Sequence, residues 1–115
     1  MTENPEEKVI SAMERSADIY GVRKSYARLY GTLYFWDGDM TMEELSEETG
    51  YSRSTISPAM RKLEEFHMVS RSKKEGEGKK LFYTAEEDLE EAFKQLMNNQ
   101  AKRELEVMQE ALDNA

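Results

Sequence analysis

Apolar residues recur every three or four positions in several stretches of the chain, which is the spacing of one helix face. The first stripe, from Val9 to Tyr20, predicts an amphipathic helix over residues 6–19, and a second, richer in aromatic residues, predicts a helix over 22–35. Gly31 lies inside the second helix, where it costs about 1 kcal/mol relative to alanine. We therefore expect another helix to pass close to it.

A short helix and a longer one follow, separated by a glycine. Thr41 and Glu44 have the spacing of a capping box, which predicts a helix over residues 42–49 that Gly50 ends in the left-handed conformation. The next apolar stripe predicts a helix over residues 52–66, with polar side chains on the opposite face.

Pro58 lies inside this longer helix, where proline removes one backbone donor. If Ser52 is the N-cap, the first turn of the helix must kink or open. If Ser57 is the N-cap, Pro58 takes the favoured first helical position and residues 52–56 form a separate turn. The sequence leaves both alternatives open.

Two short strands and a long helix complete the chain. Residues 68–72 and 80–83 are predicted to be strands of a β-hairpin, joined by a tip at 73–79 that contains glycine. Thr84 and Glu87 repeat the capping-box spacing and predict the start of the last helix. A helix of about thirty residues extends ~45 Å, more than a small core covers, so its distal half needs another partner.

The order of these elements predicts the fold. Short helix, glycine turn, helix and hairpin is the order of a winged helix-turn-helix, so we expect a mainly α fold with a small β-hairpin wing. We assign residues 1–36 to N-terminal helices, 37–84 to the winged helix-turn-helix core, and 85–115 to a long C-terminal helix.

The charges are segregated along the chain. The 115 residues carry a formal net charge of -8, yet residues 51–83 hold eight Lys and Arg against four Glu. Residues 37–50, by contrast, hold six acids and no base. The helix predicted at 52–66 and the hairpin therefore form a basic island in an acidic chain.

The composition disfavours several classes of function. The chain has no Cys, which excludes disulfides and Cys-ligated zinc, and no nucleophile is paired with a base, so we predict no catalytic residue, cofactor or metal site. The acidic loop near Thr41 resembles a calcium loop, but Met42 occupies the position that needs glycine. We find no signal peptide and no apolar run that could span a bilayer, so we expect a cytoplasmic protein without membrane contact.

The residue types of the helix at 52–66 suit a helix that enters the major groove of DNA. Short polar side chains near its N-terminus allow close approach to phosphate, and arginine can reach a guanine edge or a phosphate. Cations flank the hairpin tip, where they can straddle a backbone or enter a minor groove. The candidate DNA contacts are Ser52, Arg53, Ser54, Thr55, Ser57, Pro58, Arg61 and Lys62 in the helix, and Arg71, Lys73, Lys74, Lys79 and Lys80 in the wing.

A family resemblance is carried by the run TMEELSEETGYSRSTISPAMRKLEEFHMVSRSKKEGEGKKLFY. It resembles the DNA-binding core of MarR-type transcription regulators and is most similar to the GbsR-like branch, in which an aromatic helix like residues 26–33 precedes the motif. The resemblance implies a homodimeric DNA-binding regulator, usually a repressor, with dimerisation through the terminal helices. Such a dimer would read an inverted repeat with half-sites about 10 bp apart. The acidic wing tip EGEG and Pro58 depart from the family pattern.

Two other interpretations stay open. The acidic blocks could bind a basic protein, which would make the chain a winged-helix interaction module without DNA readout. Alternatively, the regulator could sense a small osmolyte or quaternary amine, since GbsR-like regulators are associated with choline sensing and aromatic rings can cage such a cation. Helical spacing explains the same aromatic residues as core or dimer interface: Tyr20, Tyr26, Tyr30, Tyr34, Phe35 and Trp36.

Overall fold

The helices and strands follow the predicted order, with one further strand. The computed structural model describes residues 4–115, so the first three residues of the predicted N-terminal segment lie outside it. The elements are α1 (Pro5–Ile19), α2 (Lys24–Phe35), β1 (Met40–Thr41), α3 (Met42–Thr49), α4 (Arg53–Glu65), β2 (Val69–Lys73), β3 (Leu81–Ala85) and α5 (Leu89–Asp113).

Local capping sets the boundaries of the two central helices. The Thr41 hydroxyl accepts the Glu44 N–H at 3.2 Å, and the Glu44 carboxylate accepts the Thr41 N–H at 3.1 Å, which forms the predicted capping box of α3. α3 ends at Gly50, whose φ of 76° is left-handed, also as predicted. α4 is followed by a left-handed residue too, but there the position is taken by His67 at φ 60°.

The start of α5 differs from the prediction. Thr84 is not its N-cap but lies in β3, where its hydroxyl is 2.9 Å from that of Ser70 on β2. α5 instead begins at Leu89, and the Asp88 carboxylate accepts the Glu91 N–H at 3.1 Å. The sequence prediction was wrong because the ladder between β2 and β3 continues past Thr84 and keeps it extended.

The three strands form one antiparallel sheet in the order β1-β3-β2. β1 has only two residues, too few for an alternating pattern to appear in the sequence. It pairs with β3 in the register that places Thr41 opposite Phe82, so the start of α3 is fixed to the middle strand of the sheet. Together α3, the glycine turn, α4 and this sheet form the predicted winged helix-turn-helix.

The core lies where α2, α3, α4 and the sheet meet. α2 passes through the centre and contacts α1, α3, α4 and β3. Each of the predicted apolar stripes of α2 and α4 contributes fully buried side chains, which explains why these helices pack as one unit. The largest fully buried side chains of the core are Leu29 of α2, Met40 of β1, Leu45 of α3, and Ile56, Met60 and Leu63 of α4.

α1 packs against α2 at Gly31, as predicted. A Cβ at Gly31 would lie 2.8 Å from Cγ1 of Ile10, so a side chain there would force a shift. Arg28 of α2 adds two ion pairs to α1, each at 2.7 Å, with Glu7 and Glu14. The hydrogen bonds that Arg28 donates to Glu7 hold the pKa of Glu7 below its usual value, and those that it donates to Glu14 and Glu7 raise the pKa of Arg28.

α5 leaves the core along most of its length. Ala92 is buried and Leu96 packs against the core, whereas Leu105 is 63% exposed and Leu112 is 70% exposed. The distal part of α5 therefore presents apolar side chains to solvent. Although α5 is long, no helix within residues 4–115 combines the length and the apolar run that crossing a bilayer requires.

Candidate nucleic-acid interface

α4 buries one face and exposes the other. The predicted apolar stripe, including Ile56, Met60 and Leu63, is buried against the core. The predicted contacts of this helix lie on the outer face, where a ligand can reach them. All are exposed except Ser57, which is half-buried: Ser52, Arg53, Ser54, Thr55, Pro58, Arg61 and Lys62.

The N-terminus of α4 is capped by Ser52. Its hydroxyl accepts the Thr55 N–H at 3.4 Å and lies 2.9 Å from the Ser54 hydroxyl. The helix then continues without a break through Pro58. Ser52 is therefore the N-cap of α4. The alternative in which Ser57 is the N-cap and Pro58 the first helical residue is wrong.

The hairpin of β2 and β3 forms the wing. Gly76 and Gly78 in its tip have φ values of 83° and 63°, which residues with a Cβ rarely adopt, so the tip turn depends on these glycines. All five candidate cations of the wing are exposed and thus accessible to a polyanion: Arg71, Lys73, Lys74, Lys79 and Lys80.

Two candidate cations of α4 are paired with carboxylates. Arg53 lies 3.3 Å from Glu43 of α3, with 68% and 67% of the two side chains exposed. Lys62 lies 3.3 Å from Glu65 of its own helix. Exposed pairs of this kind contribute only about 0–1 kcal/mol, so a phosphate can replace the carboxylate.

Two cations of the wing are also paired, but with residues of other elements. Arg71 lies 3.4 Å from Glu64 of α4, which connects the base of the wing to that helix. The ammonium of Lys74 lies 2.9 Å from a carboxylate oxygen of Asp39, just before β1. These pairs orient the wing relative to the rest of the fold.

The remaining candidates carry charge without a carboxylate within 4 Å among residues 4–115. Lys73 and Lys79 lie on the two sides of the hairpin and line one open cleft together with Arg71. Positive charge in such a cleft is suited to a phosphate group. The cations without a partner are Arg61, Lys73, Lys79 and Lys80.

Tyr83 lies in β3 of the wing, and its hydroxyl is affected by charges of both α4 and β2. Burial raises the pKa of the Tyr83 hydroxyl in β3, and the Glu64 carboxylate raises it further. Arg71 and Arg61 act in the opposite direction on the same hydroxyl. β2 packs against α4 and Arg71 pairs with Glu64 of that helix, so the base of the wing lies beside α4.

Sequence reasoning found the cations but missed the carboxylates that hold them. Glu43 is 10 residues from its partner Arg53, and Asp39 is 35 residues from Lys74. Pairs formed between separate elements leave no local pattern in a sequence. Only the tertiary structure therefore separates paired from unpaired cations.

The acidic loop before α3 is not arranged around a cation. Within the described part of the chain, no group of three or more His, Asp or Glu side chains could hold a metal ion. Asp39 binds Lys74, and Glu44 belongs to the capping box. Met42 is the first residue of α3, where the calcium-loop pattern needs a glycine turn.

The aromatic residues do not form one cage. Tyr20, Tyr26 and Tyr30 line a groove of about 750 Å³ between α1, α2 and α5, together with Phe93. The rings of Tyr20 and Phe93 meet edge to face with centroids 6.4 Å apart. The other three aromatic residues lie outside the groove: Tyr34, Phe35 and Trp36.

The groove is mostly apolar. Apart from the tyrosines, its polar or charged side chains are Ser16, Glu90 and Lys94. The Tyr30 hydroxyl donates to the carbonyl of Glu86 at 2.6 Å, which occupies its proton. Burial is the main reason that the pKa of Tyr30 is raised. The groove therefore offers aromatic and aliphatic surface with few free hydrogen-bonding groups.

The sequence is similar to one family of transcriptional regulators and to two characterised repressors. The pattern of the family described as sugar-specific transcriptional regulator TrmB matches residues 17–87. The chain is 32% identical over 123 residues to the HTH-type transcriptional repressor GbsR of Bacillus subtilis (strain 168), covering 100% of this chain and 67% of that protein. It is 29% identical over 91 residues to the repressor OpcR of the same strain, covering 79% of this chain and 49% of that protein. The chain thus spans only part of either relative.

A solved structure shares the whole architecture. The crystal structure of a transcriptional regulator matches with a TM-score of 0.71 at 20% identity, covering 97% of this chain and 78% of that one. The match extends over α1 and α5 as well as the helix-turn-helix. At this identity it shows a common fold.

Proposed function

Because the chain belongs to the TrmB family of transcriptional regulators, we propose that it is a sequence-specific DNA-binding repressor that acts as a homodimer. More narrowly, we place it with the GbsR-like members of the MarR-type regulators, on the resemblance of the run from Thr41 to Tyr83. A protein that regulates transcription works where the DNA is, so we also place it in the cytoplasm.

One observation carries this proposal above the others. The outer face of α4 is exposed and carries the unpaired Arg61, and the ion pair between Arg71 and Glu64 joins this helix to the basic wing. A major groove about 12 Å wide admits such a helix, and lysines on a hairpin can then reach the flanking backbone. This surface combines an exposed helix face with unpaired cations on the adjacent hairpin, which are Lys73, Lys79 and Lys80.

We assign different roles to the two parts of the interface. In α4, short polar side chains and arginines contact base edges and the nearest phosphates. In the wing, cations contact the backbone and determine position more than sequence. The proposed contacts of α4 are Ser52, Arg53, Ser54, Thr55, Ser57, Pro58, Arg61 and Lys62, and those of the wing are Arg71, Lys73, Lys79 and Lys80, whereas Lys74 is held by Asp39.

The proposed dimer places two such interfaces on one DNA duplex. The exposed apolar side chains of distal α5, including Leu105, Met108 and Leu112, are suited to pairing with a second copy. A twofold dimer would read an inverted repeat with half-sites about 10 bp apart. In this arrangement residues 37–84 are the DNA-binding core, and residues 1–36 and 85–115 supply the dimer contacts.

Selection of bound sequences from a random DNA pool tests this proposal directly. The selected pool should contain an inverted repeat, and affinity for it should fall steeply as salt rises, because bound phosphates release counterions. Replacing Arg61 by Ala should weaken binding by about 1–3 kcal/mol while the melting temperature changes little. The matched control is Arg15→Ala on α1, an exposed arginine outside the DNA-binding core whose charged side chain is not among the apolar dimer contacts, so affinity should stay unchanged.

The interaction-module alternative gives the opposite result. If the acidic helices bind a basic protein, no sequence would be enriched, the salt response would be flat, and Arg53→Ala and Arg61→Ala would have no effect on function. That combination would refute DNA readout.

A second candidate function is supported by the groove between α1, α2 and α5. Its aromatic lining of Tyr20, Tyr26, Tyr30 and Phe93 suits an apolar or quaternary-amine effector, which aromatic faces attract through cation–π contact. A sugar would leave many hydroxyls without partners there. A thermal-shift screen with quaternary amines, osmolytes and sugars tests this, since a ligand of the folded state raises the melting temperature. Phe93→Ala should remove the shift, and a screen without any shift would refute the effector.

A further inference from the structure

Lys74 differs from the other wing cations in its surroundings. Its ammonium lies 2.9 and 3.1 Å from the two carboxylate oxygens of Asp39. It also lies over the ring of Phe82, 4.3 Å from the centroid. Asp39 and Lys74 are partly shielded, with 26% and 49% of the side chains exposed, and Phe82 is buried.

These contacts reach across the whole sheet. Lys74 directly follows β2, Phe82 lies in the central strand β3, and Asp39 directly precedes β1 at the opposite edge. The register supports this path, because Phe82 faces Ser72 on one side and Thr41 on the other. One side chain thus joins the outer strand of the wing to the strand that leads into α3.

We propose that Lys74 is a positioning residue, which with Asp39 and Phe82 forms a latch that fixes the wing relative to the helix-turn-helix. The ammonium of Lys74 is bound by the Asp39 carboxylate and the Phe82 ring, so Lys74 does not serve as a phosphate contact. The unpaired Lys73 and Lys79 contact the phosphates instead. The effect on DNA affinity rests on the proposed function, whereas the effect on the hairpin itself does not.

The latch and a direct phosphate contact lead to opposite expectations for Asp39. If Lys74 contacted a phosphate, Asp39→Asn would remove a competing anion and a negative charge near DNA, so binding would tighten. If the latch positions the wing, Asp39→Asn releases it, and binding weakens by about 3- to 5-fold, the size expected for loss of a partly shielded ion pair.

The experiment measures DNA affinity as a function of salt for Asp39→Asn, Lys74→Met and the double variant. We expect both single variants to weaken binding by similar factors and the double variant to be no worse than either, because all three break one latch. The salt slope should stay unchanged. Lys73→Met is the matched control, in which a lost phosphate contact lowers the slope by about 0.9. Lys74→Arg, which keeps the charge over Phe82, should bind nearly as wild type does.

Amide hydrogen exchange of the free protein supplies a measurement that needs no DNA. Exchange in β2 and β3 should become about 3- to 10-fold faster in Asp39→Asn and Lys74→Met, and remain unchanged in Lys73→Met. Tighter binding by Asp39→Asn, or unchanged hairpin exchange in that variant, would overturn the latch. If the wild type binds no DNA, the proposed function fails, and the exchange comparison still decides whether the latch exists.

Discussion

Replacing Gly31 by alanine sets two effects of similar size against each other. Within a helix, alanine is favoured over glycine by about 1 kcal/mol. The new methyl group, however, would lie 2.8 Å from Cγ1 of Ile10 and 3.3 Å from the sulfur of Met13. Moving α1 or forcing Ile10 from its rotamer costs about 1–3 kcal/mol. We therefore expect Gly31→Ala to lower the free energy of unfolding by up to about 2 kcal/mol, although helix propensity alone predicts an increase.

A double-mutant cycle with Ile10→Ala separates the two effects. That variant removes Cγ1, so in its background Gly31→Ala should increase the free energy of unfolding by about 1 kcal/mol. The sign of the change then depends on the background. Urea denaturation of the four proteins at one protein concentration gives the required free energies. The same effect of Gly31→Ala in both backgrounds would refute the contact with Ile10 as the reason for glycine.

Three further variants test single features. His67→Gly should raise the free energy of unfolding by about 0.5–1 kcal/mol, because glycine adopts the φ of 60° without strain, and an unchanged urea midpoint would contradict this. Tyr30→Phe should lower it by about 1 kcal/mol through loss of the hydrogen bond to Glu86. Because the pKa of Tyr30 is raised in the folded protein, the neutral hydroxyl contributes its full stabilisation below about pH 10, and this stabilisation is lost as the pH rises further. The free energy of unfolding of Tyr30→Phe should therefore fall less than that of the wild type when urea titrations are repeated at alkaline pH. Pro58→Ala returns the missing donor to the carbonyl of Ser54 and reshapes the exposed turn, so the sequences selected from random DNA should change, and identical selections would contradict the reasoning.

The sequence predicted those features that local interactions determine. The capping box at Thr41, the left-handed Gly50 and the close approach at Gly31 each depend on a few neighbouring residues or on one helix face. The features it missed depend on pairing between distant segments. β1 exists because β3 lies beside it, and Thr84 repeats a capping-box spacing but is kept in β3 by its ladder with β2.

The same distinction applies to the candidate site. The spacing of apolar residues in α4 was sufficient to predict which face is exposed, because burial of one face fixes the other. Whether each cation is paired with a carboxylate could not be predicted. Arg61 and Arg53 look alike in the sequence, yet only Arg53 is paired, since Glu43 reaches it from a separate helix. Composition reveals a basic island, whereas tertiary structure determines which of its charges are available.

The acidic segment before α4 therefore has a more specific role than repelling DNA. Glu43 holds a candidate DNA contact, Arg53, whereas Asp39 holds the residue that we assign to positioning, Lys74. Removing the two negative charges should have effects of opposite sign. Glu43→Gln frees Arg53 and removes an exposed competitor of the phosphate, so it should tighten DNA binding by about 2- to 5-fold. Asp39→Asn releases the wing and should weaken binding in the same assay. If both variants tighten binding equally, net charge alone governs affinity, and the arrangement of the pairs is irrelevant to it.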